Sequence, residues 1–364
     1  MVNAENLTHY LLERGLVSYE SVVNGSVQIA EIPRRNHNFK VTQQTGPGYF
    51  LKQVRNWDPE TLRTIQVEAE CYKLARETQE YAELKKIVPR FHSFDQRHAV
   101  LITELLEPAE TIADHHFRNN SFPVTVAEEL GEVFGKYHRS AQERVRDLGA
   151  LFPRRPAWSL SLHQNFPEAR ERLSGGNYQM LAMLRQFPQF GTVLDKLRAN
   201  WRFDALIHAD IKWDNCLLCP GANGKPALRI VDWEMADVGD SCWDVGSIFS
   251  AYLTFWVQSL PGHNLMNAEA LVAQARFPIE TMHPAIRAFW QTYLGYLDVP
   301  EEVSRELLNR SVQYAGARMI QTAFEVLRLA PRANPVSVLL LQLSMNVLTC
   351  PEEARSELLG LETL

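Results

Sequence analysis

The chain has 364 residues, 46% of them hydrophobic and 22% charged, with a formal net charge of −6 and a pI near 6.0. That apolar content builds a sizeable core and excludes a disordered chain, while the acidic balance lacks the basic footprint of a nucleic-acid binder. No stretch reaches the roughly 18 uninterrupted apolar residues of a membrane span, the start carries Glu5, Glu13 and Arg14 instead of a signal sequence, and the five cysteines make no disulfide framework, so a cytoplasmic location is expected.

In chain order, residues 4–16 suit a short helix closed by Gly15. Alternation predicts strands near 27–32, 38–42 and 48–54, a helix over 60–76 and strands near 90–94 and 98–105, together a small β-rich lobe over 1–106. The turn from Pro33 to His37, with Arg34 and Arg35, contains no glycine, so backbone amides there cannot approach a phosphate as a Gly-rich loop allows. In Tyr49 to Val54, Phe50, Lys52 and Val54 share one strand face, which sets an ammonium on an apolar surface. The helix that follows carries two acids, Glu68 and Glu70.

From 107 onward the pattern turns helical, with helices expected over 126–141, 167–173 and 177–199. Past a hairpin, further helices are expected over 243–258, 268–275, 283–297, 301–309, 311–328, 335–348 and 351–359. Cys216 and Cys219 form a lone C-x-x-C without nearby histidines, which suits structural thiols better than zinc.

The densest chemistry lies between 206 and 245. Residues 206–218 read LIHADIKWDNCLL and residues 229–234 read RIVDWE. A carboxylate, an amide five residues later and a second carboxylate at a strand end suit Mg²⁺ and a nucleotide phosphate held beside a general base. This H-x-D-x-x-x-x-N spacing resembles the catalytic loop of the protein-kinase superfamily. The phrase VDWEMADVG at 231–239, followed by Trp243-Asp244-Val245, resembles specifically the aminoglycoside phosphotransferase and choline kinase branch.

The resemblance implies an α+β, bilobal protein-kinase-like fold, with a small β-rich N-lobe over 1–106 and a large, mainly helical C-lobe over 107–364. It implies ATP or another nucleoside triphosphate as donor and Mg²⁺ as cofactor. Asp210 is then the general base, Lys212 reaches the transferred phosphate and His208 braces the loop. Asn215 and Asp232 take the metal, Glu234 a second ion, and Asp244 supports the loop from a helix start. Lys52 serves the nucleotide phosphates, paired with Glu68 or, failing that, Glu70. Backbone groups of Glu104 to Leu106 hold adenine, and Arg34, Arg35 or Asn38 replace the absent glycine amides. His138 is expected to pack in the core.

The acceptor is less determined. From 245 to 297 the only acids are Glu269 and Glu280, poor company for a polycationic aminoglycoside, although Glu168, Glu171 or Asp195 offer acidity if their region folds over the cleft. Tyr252, Phe255, Trp256 and Trp290 suit either a core or a quaternary-ammonium cage. The expected activity is phosphate transfer to a hydroxyl of a small molecule other than an aminoglycoside. Two alternatives stand beside it. One is a Ser/Thr kinase of a precursor peptide in ribosomal natural-product maturation, working with a partner protein; the other is a nucleotide-binding pseudokinase, against which the intact set Lys52, Glu68, Asp210, Asn215 and Asp232 speaks.

Overall fold

The computed structural model describes the chain except residues 1–5, 34–35, 143–144, 146–147, 149–151, 165–172, 222–223, 262–267 and 362–364. In chain order the elements begin α1 (Leu7–Glu13), α2 (Tyr19–Val23), β1 (Val27–Pro33), β2 (His37–Gln43), β3 (Tyr49–Gln53), α3 (Pro59–Glu77), α4 (Ala82–Ile87), β4 (Phe91–Asp95) and β5 (Val100–Glu104). They continue with β6 (Glu110–Thr111), α5 (Ile112–Asn119), α6 (Val124–Gln142), α7 (Gly175–Gln186), α8 (Pro188–Ala199), β7 (Ala205–Ile207), β8 (Cys216–Pro220), β9 (Pro226–Ile230) and β10 (Asp237–Gly239). The helices α9 (Ser241–Gln258), α10 (Ala268–Ala273), α11 (His283–Leu297), α12 (Glu301–Val326), α13 (Pro335–Thr349) and α14 (Pro351–Glu353) complete the chain. They fall into two compact units, Met1–Glu110 with Leu217–Ala236, and Thr111–Cys216 with Asp237–Leu364.

The first unit is built on an antiparallel sheet of order β1-β2-β3-β5-β4. Because side chains alternate along a strand, the register that sets Leu51 between Phe39 and Ile102 puts these three on one face, where they bury against Leu7, Tyr10 and Leu11 of α1. The same register sets Lys52 between Asn38 and Leu101 on the opposite face. Helix α3 starts where Asp58 accepts the amide of Thr61 at 3.0 Å and Pro59 takes the first turn, a position that needs no N–H. Helices α2 and α4 were not expected from the sequence; α2 is held by a capping box between Ser18 and Ser21.

The second unit is helical, with one short antiparallel pair, β7 with β10. Helix α6 packs on α11, while α9 and α13 pack on α12. Glycines set the closest approaches: a Cβ at Gly131 would meet the Phe289 carbonyl oxygen at 2.6 Å, and one at Gly246 would meet the Ser311 carbonyl oxygen at 2.6 Å. The single helix expected over 177–199 is two, broken at Pro188, whose missing N–H and ring suit a helix start and not an interior. Conversely, the helices expected at 301–309 and 311–328 are one continuous α12, since no Gly or Pro interrupts it near 310. The helix expected at 351–359 is one turn of α14 followed by a π turn, Ala354–Leu358. The helix expected at 167–173 lies outside the described residues.

Candidate functional site

In the first unit, Lys52 is 6% exposed and donates to Glu68 Oε2 at 2.7 Å, to Glu234 Oε2 at 2.9 Å and to Asp232 Oδ1. Local structure explains the convergence. The indole of Trp233, fully buried, donates to the Ile230 carbonyl at 3.0 Å, and the turn it anchors packs on α3, which carries Glu68. Asp232 enters that turn with φ 69°, a left-handed conformation disfavoured for a residue with a Cβ. Tyr72, one turn beyond Glu68, donates to Glu68 Oε1 at 3.0 Å, so both oxygens of this carboxylate are held.

The electrostatics follow from one ammonium facing three carboxylates. Burial works against charge on Lys52, but Glu68, Asp232 and Glu234 outweigh it, and its pKa lies well above the ordinary lysine value. Burial also pushes the Glu68 carboxyl up, to about 7; Lys52 opposes the rise and the two other carboxylates add to it. One oxygen from each of Glu68, Asp232 and Glu234 lies within 4.8 Å of the others. Fully ionised, the cluster with Lys52 carries an excess of two negative charges, which a divalent cation with a preference for oxygen matches.

Elsewhere in this unit, Asn38 is 8% exposed and its Oδ1 has no hydrogen-bond partner. At the end of β5 the amide of Leu105 is committed to the Gly48 carbonyl, and that of Glu104 to the Arg90 carbonyl. Glu104 also accepts the Arg90 amide on its side chain at 2.8 Å. Arg34 and Arg35 lie outside the described residues. Glu70 is half-buried and has no place in the Lys52 cluster, so between the two expected acids the geometry selects Glu68.

In the second unit, the loop from His208 to Asn215 is fixed by its own backbone. Both oxygens of the buried Asp244, on α9, accept main-chain amides, His208 at 2.8 Å and Ala209 at 3.0 Å. Ala209 has φ 63° and its carbonyl accepts from the Trp243 indole at 3.2 Å. His208 is fully buried and its Nδ1 accepts the Asp210 amide at 3.2 Å, a bracing contact. Asn215 donates from its Nδ2 to the Asp210 carbonyl at 3.0 Å and lies 3.4 Å from the Asp210 carboxylate. His138 packs fully buried, with Nδ1 3.1 Å from the Tyr293 hydroxyl.

The Asp210 carboxylate is gripped on both oxygens. Lys212 Nζ donates to Oδ2 at 2.8 Å, and Arg318 Nη2, from α12, donates to Oδ1 at 3.0 Å. Arg318 was missed in the sequence. It is 2% exposed and shares a helix face with Ser311, Tyr314 and Gln321, all buried, and an arginine on such a face is the available signal. Lys212 and Arg318 also line a cavity of about 340 Å³ whose walls include Trp213, Asp214, Ser250, Thr254, Phe255, Thr322 and Glu325.

The aromatic cage is not formed: Tyr252, Trp256 and Trp290 are buried in the core, and only Phe255 of the four reaches the cavity wall. Cys216 and Cys219 take no part in the described residues' one cluster of potential metal ligands, and burial raises both thiol pKa values. Glu269 and Glu280 are exposed and do not line the cavity. Asp195 is engaged by Gln164 at 2.9 Å and Arg198 at 3.3 Å, while Glu168 and Glu171 lie outside the described residues.

Comparison with known proteins meets this geometry from outside. The model of the phosphotransferase enzyme family matches residues 28–281. Comparison with curated proteins yields no match. Among solved structures, a mutant of aminoglycoside 2′-phosphotransferase-IIIa in complex with GDP is 11% identical, over 98% of this chain and 99% of that one, with a TM-score of 0.53. A choline/ethanolamine kinase family protein from Mesorhizobium loti is 17% identical, over 94% and 96%, with a TM-score of 0.50. At such identities the likeness is one of fold, the α+β protein-kinase-like fold expected from the sequence. No helix among the described residues is long and apolar enough to cross a membrane. The family match spans the strands that carry Lys52, the loop that carries Asp210 and the turn that carries Asp232, and the chain belongs to the phosphotransferase enzyme family.

Proposed function

We propose that the chain is a kinase that transfers the γ-phosphate of ATP to a hydroxyl of a small molecule, and that this acceptor is not an aminoglycoside. The observation that carries the reading is Asp210, a carboxylate whose two cationic partners line a cavity of small-molecule size. In this reading Asp210 accepts the proton of the attacking hydroxyl, and Lys212 neutralises charge developing on the transferred phosphate. Lys52, oriented by Glu68, serves the nucleotide phosphates. Asn38, through the N–H groups of its side-chain amide, the main-chain carbonyl of Glu104 and the main chain of Leu106 are assigned to the nucleotide. Asp232 and Glu234 would hold Mg²⁺ as anionic ligands, and the ion would supply charge neutralisation on the phosphates; Asn215 is assigned on its own as a neutral oxygen ligand.

A polycation finds few partners here. The acids in the cavity wall, Asp214 and Glu325, are both exposed, so water screens them, and Glu325 already lies 3.6 Å from Arg318. Each additional buried ammonium lacks an anion, at a cost of several kcal/mol. The test is phosphate transfer followed by mass across small alcohols, aminoglycosides and Ser/Thr peptides with ATP and Mg²⁺. Transfer to small hydroxyl compounds is expected; kcat/KM above about 10⁴ M⁻¹s⁻¹ for an aminoglycoside or for a peptide overturns the acceptor assignment.

A further inference from the structure

We propose that the acceptor is an organic anion, a hydroxy acid whose carboxylate is read by Arg318 and Lys212 while its hydroxyl lies on Asp210. The inference rests on the phosphotransferase reading and narrows its substrate class.

The first support is the burial of the guanidinium. Arg318 is 2% exposed and shares Asp210 with Lys212, whose side chain is 37% exposed. The other charged groups facing them are Glu325, whose side chain is 38% exposed and 3.6 Å from Arg318, and the exposed Asp214. Both acids and Lys212 reach water, which screens all three, whereas the guanidinium does not.

The second support is a surplus of donors. Arg318 Nε, the indole Nε1 of Trp213 and the Thr254 hydroxyl are buried and have no hydrogen-bond partner, and all three residues line the same cavity. Buried donors are almost always satisfied, so walls with this composition suit a ligand rich in acceptor oxygens. Of the two remaining donor groups of Arg318, Nη1 is held by Thr322 at 2.9 Å and Nη2 by Asp210.

The third support comes from the base itself. Both oxygens of Asp210 are occupied by cations, and an attacking hydroxyl needs one of them. Displacing Arg318 or Lys212 from Asp210 strands a cation, which is unfavourable for a guanidinium buried as deeply as that of Arg318. An acceptor that brings its own carboxylate supplies the replacement partner, with the bidentate geometry that a guanidinium prefers. A neutral alcohol supplies none, and an amino alcohol adds repulsion.

The test is calorimetric binding to the protein without nucleotide, using 3-hydroxybutyrate and threonate, each beside its primary amide and an amino alcohol of equal length. The acids are expected to bind at least tenfold more tightly than their amides, and Arg318→Gln to abolish that preference. Lys212→Gln, at a side chain 37% exposed, should reduce the preference several-fold and serves if the Arg318 variant does not fold. Equal binding of acid and amide, tighter binding of the amino alcohol, or no binding of either acid overturns the proposal. Phosphate transfer is read separately. An acid that binds with this preference and is never phosphorylated keeps the anion site and counts against the kinase reading; phosphorylation of the amide as readily as the acid keeps the kinase and removes the anion site.

Discussion

Asp244 accepts the amide of Ala209 at 3.0 Å, and Ala209 is held by it in a left-handed conformation, φ 63°, immediately before Asp210. The second oxygen of the same carboxylate takes the amide of His208. An asparagine has one oxygen for these two amides. Asp244→Asn should therefore cost about 1–3 kcal/mol in urea unfolding, the range for a buried donor left unsatisfied. Adding Ala209→Gly should recover on the order of 1 kcal/mol, because glycine adopts positive φ without steric cost. No recovery in the double variant would show that backbone conformation at 209 is not what Asp244 maintains.

Asp210→Asn should lower turnover by roughly 10²–10⁴-fold, as loss of a general base does, and leave nucleotide affinity near wild type. The check is a steady-state assay beside a nucleotide titration. Unchanged turnover removes Asp210 from the chemistry.

Lys52 and Glu68 should behave as one unit. Removing the ammonium leaves three carboxylates without a cation, and removing Glu68 afterwards relieves part of that repulsion. A double-mutant cycle with Lys52→Ala and Glu68→Ala, read on nucleotide binding, should give a coupling of about 1–3 kcal/mol. Strict additivity dissolves the pair.

His116 gives the pH dependence its sign. It is 1% exposed, ringed by Phe122, Trp213 and Phe255, and burial lowers its pKa to about 4. A histidine depressed in the folded state is neutral there while its unfolded counterpart takes a proton near pH 6.5. Its contribution is thus complete above pH 6.5 and lost as pH falls toward 4, on the order of 3 kcal/mol in total. Stability measured by denaturant melts from pH 7 to pH 4 should fall less steeply in His116→Phe; equal slopes would remove His116 as a source of acid sensitivity.

Much of this was legible because it is local. The spacing of Asp210, Asn215 and Asp232 survives as a string of letters, and strand alternation placed Lys52 on its face without any knowledge of what lies across from it. What failed was long-range or was a matter of continuity. Arg318 is 108 positions from Asp210, and nothing in the α12 sequence names its partner. The aromatic side chains of α9 and α11 read as core before cage, and packing put Tyr252, Trp256 and Trp290 in the core while Phe255 reached the cavity wall. The break at Pro188 was written plainly in the sequence; the helical period on both sides masked it.

Helix α12 lies against α9 at a depth set by Gly246, where even a methyl group meets the Ser311 carbonyl oxygen at 2.6 Å. Arg318 rides on α12 about two turns beyond Ser311. A single carbon gained at Gly246 would lift the helix and draw the guanidinium away from Asp210, altering the charge that faces the cavity. Under the proposed function, related chains would diverge in the acceptor they take through a position outside the cavity wall, and a survey confined to wall residues would not find it.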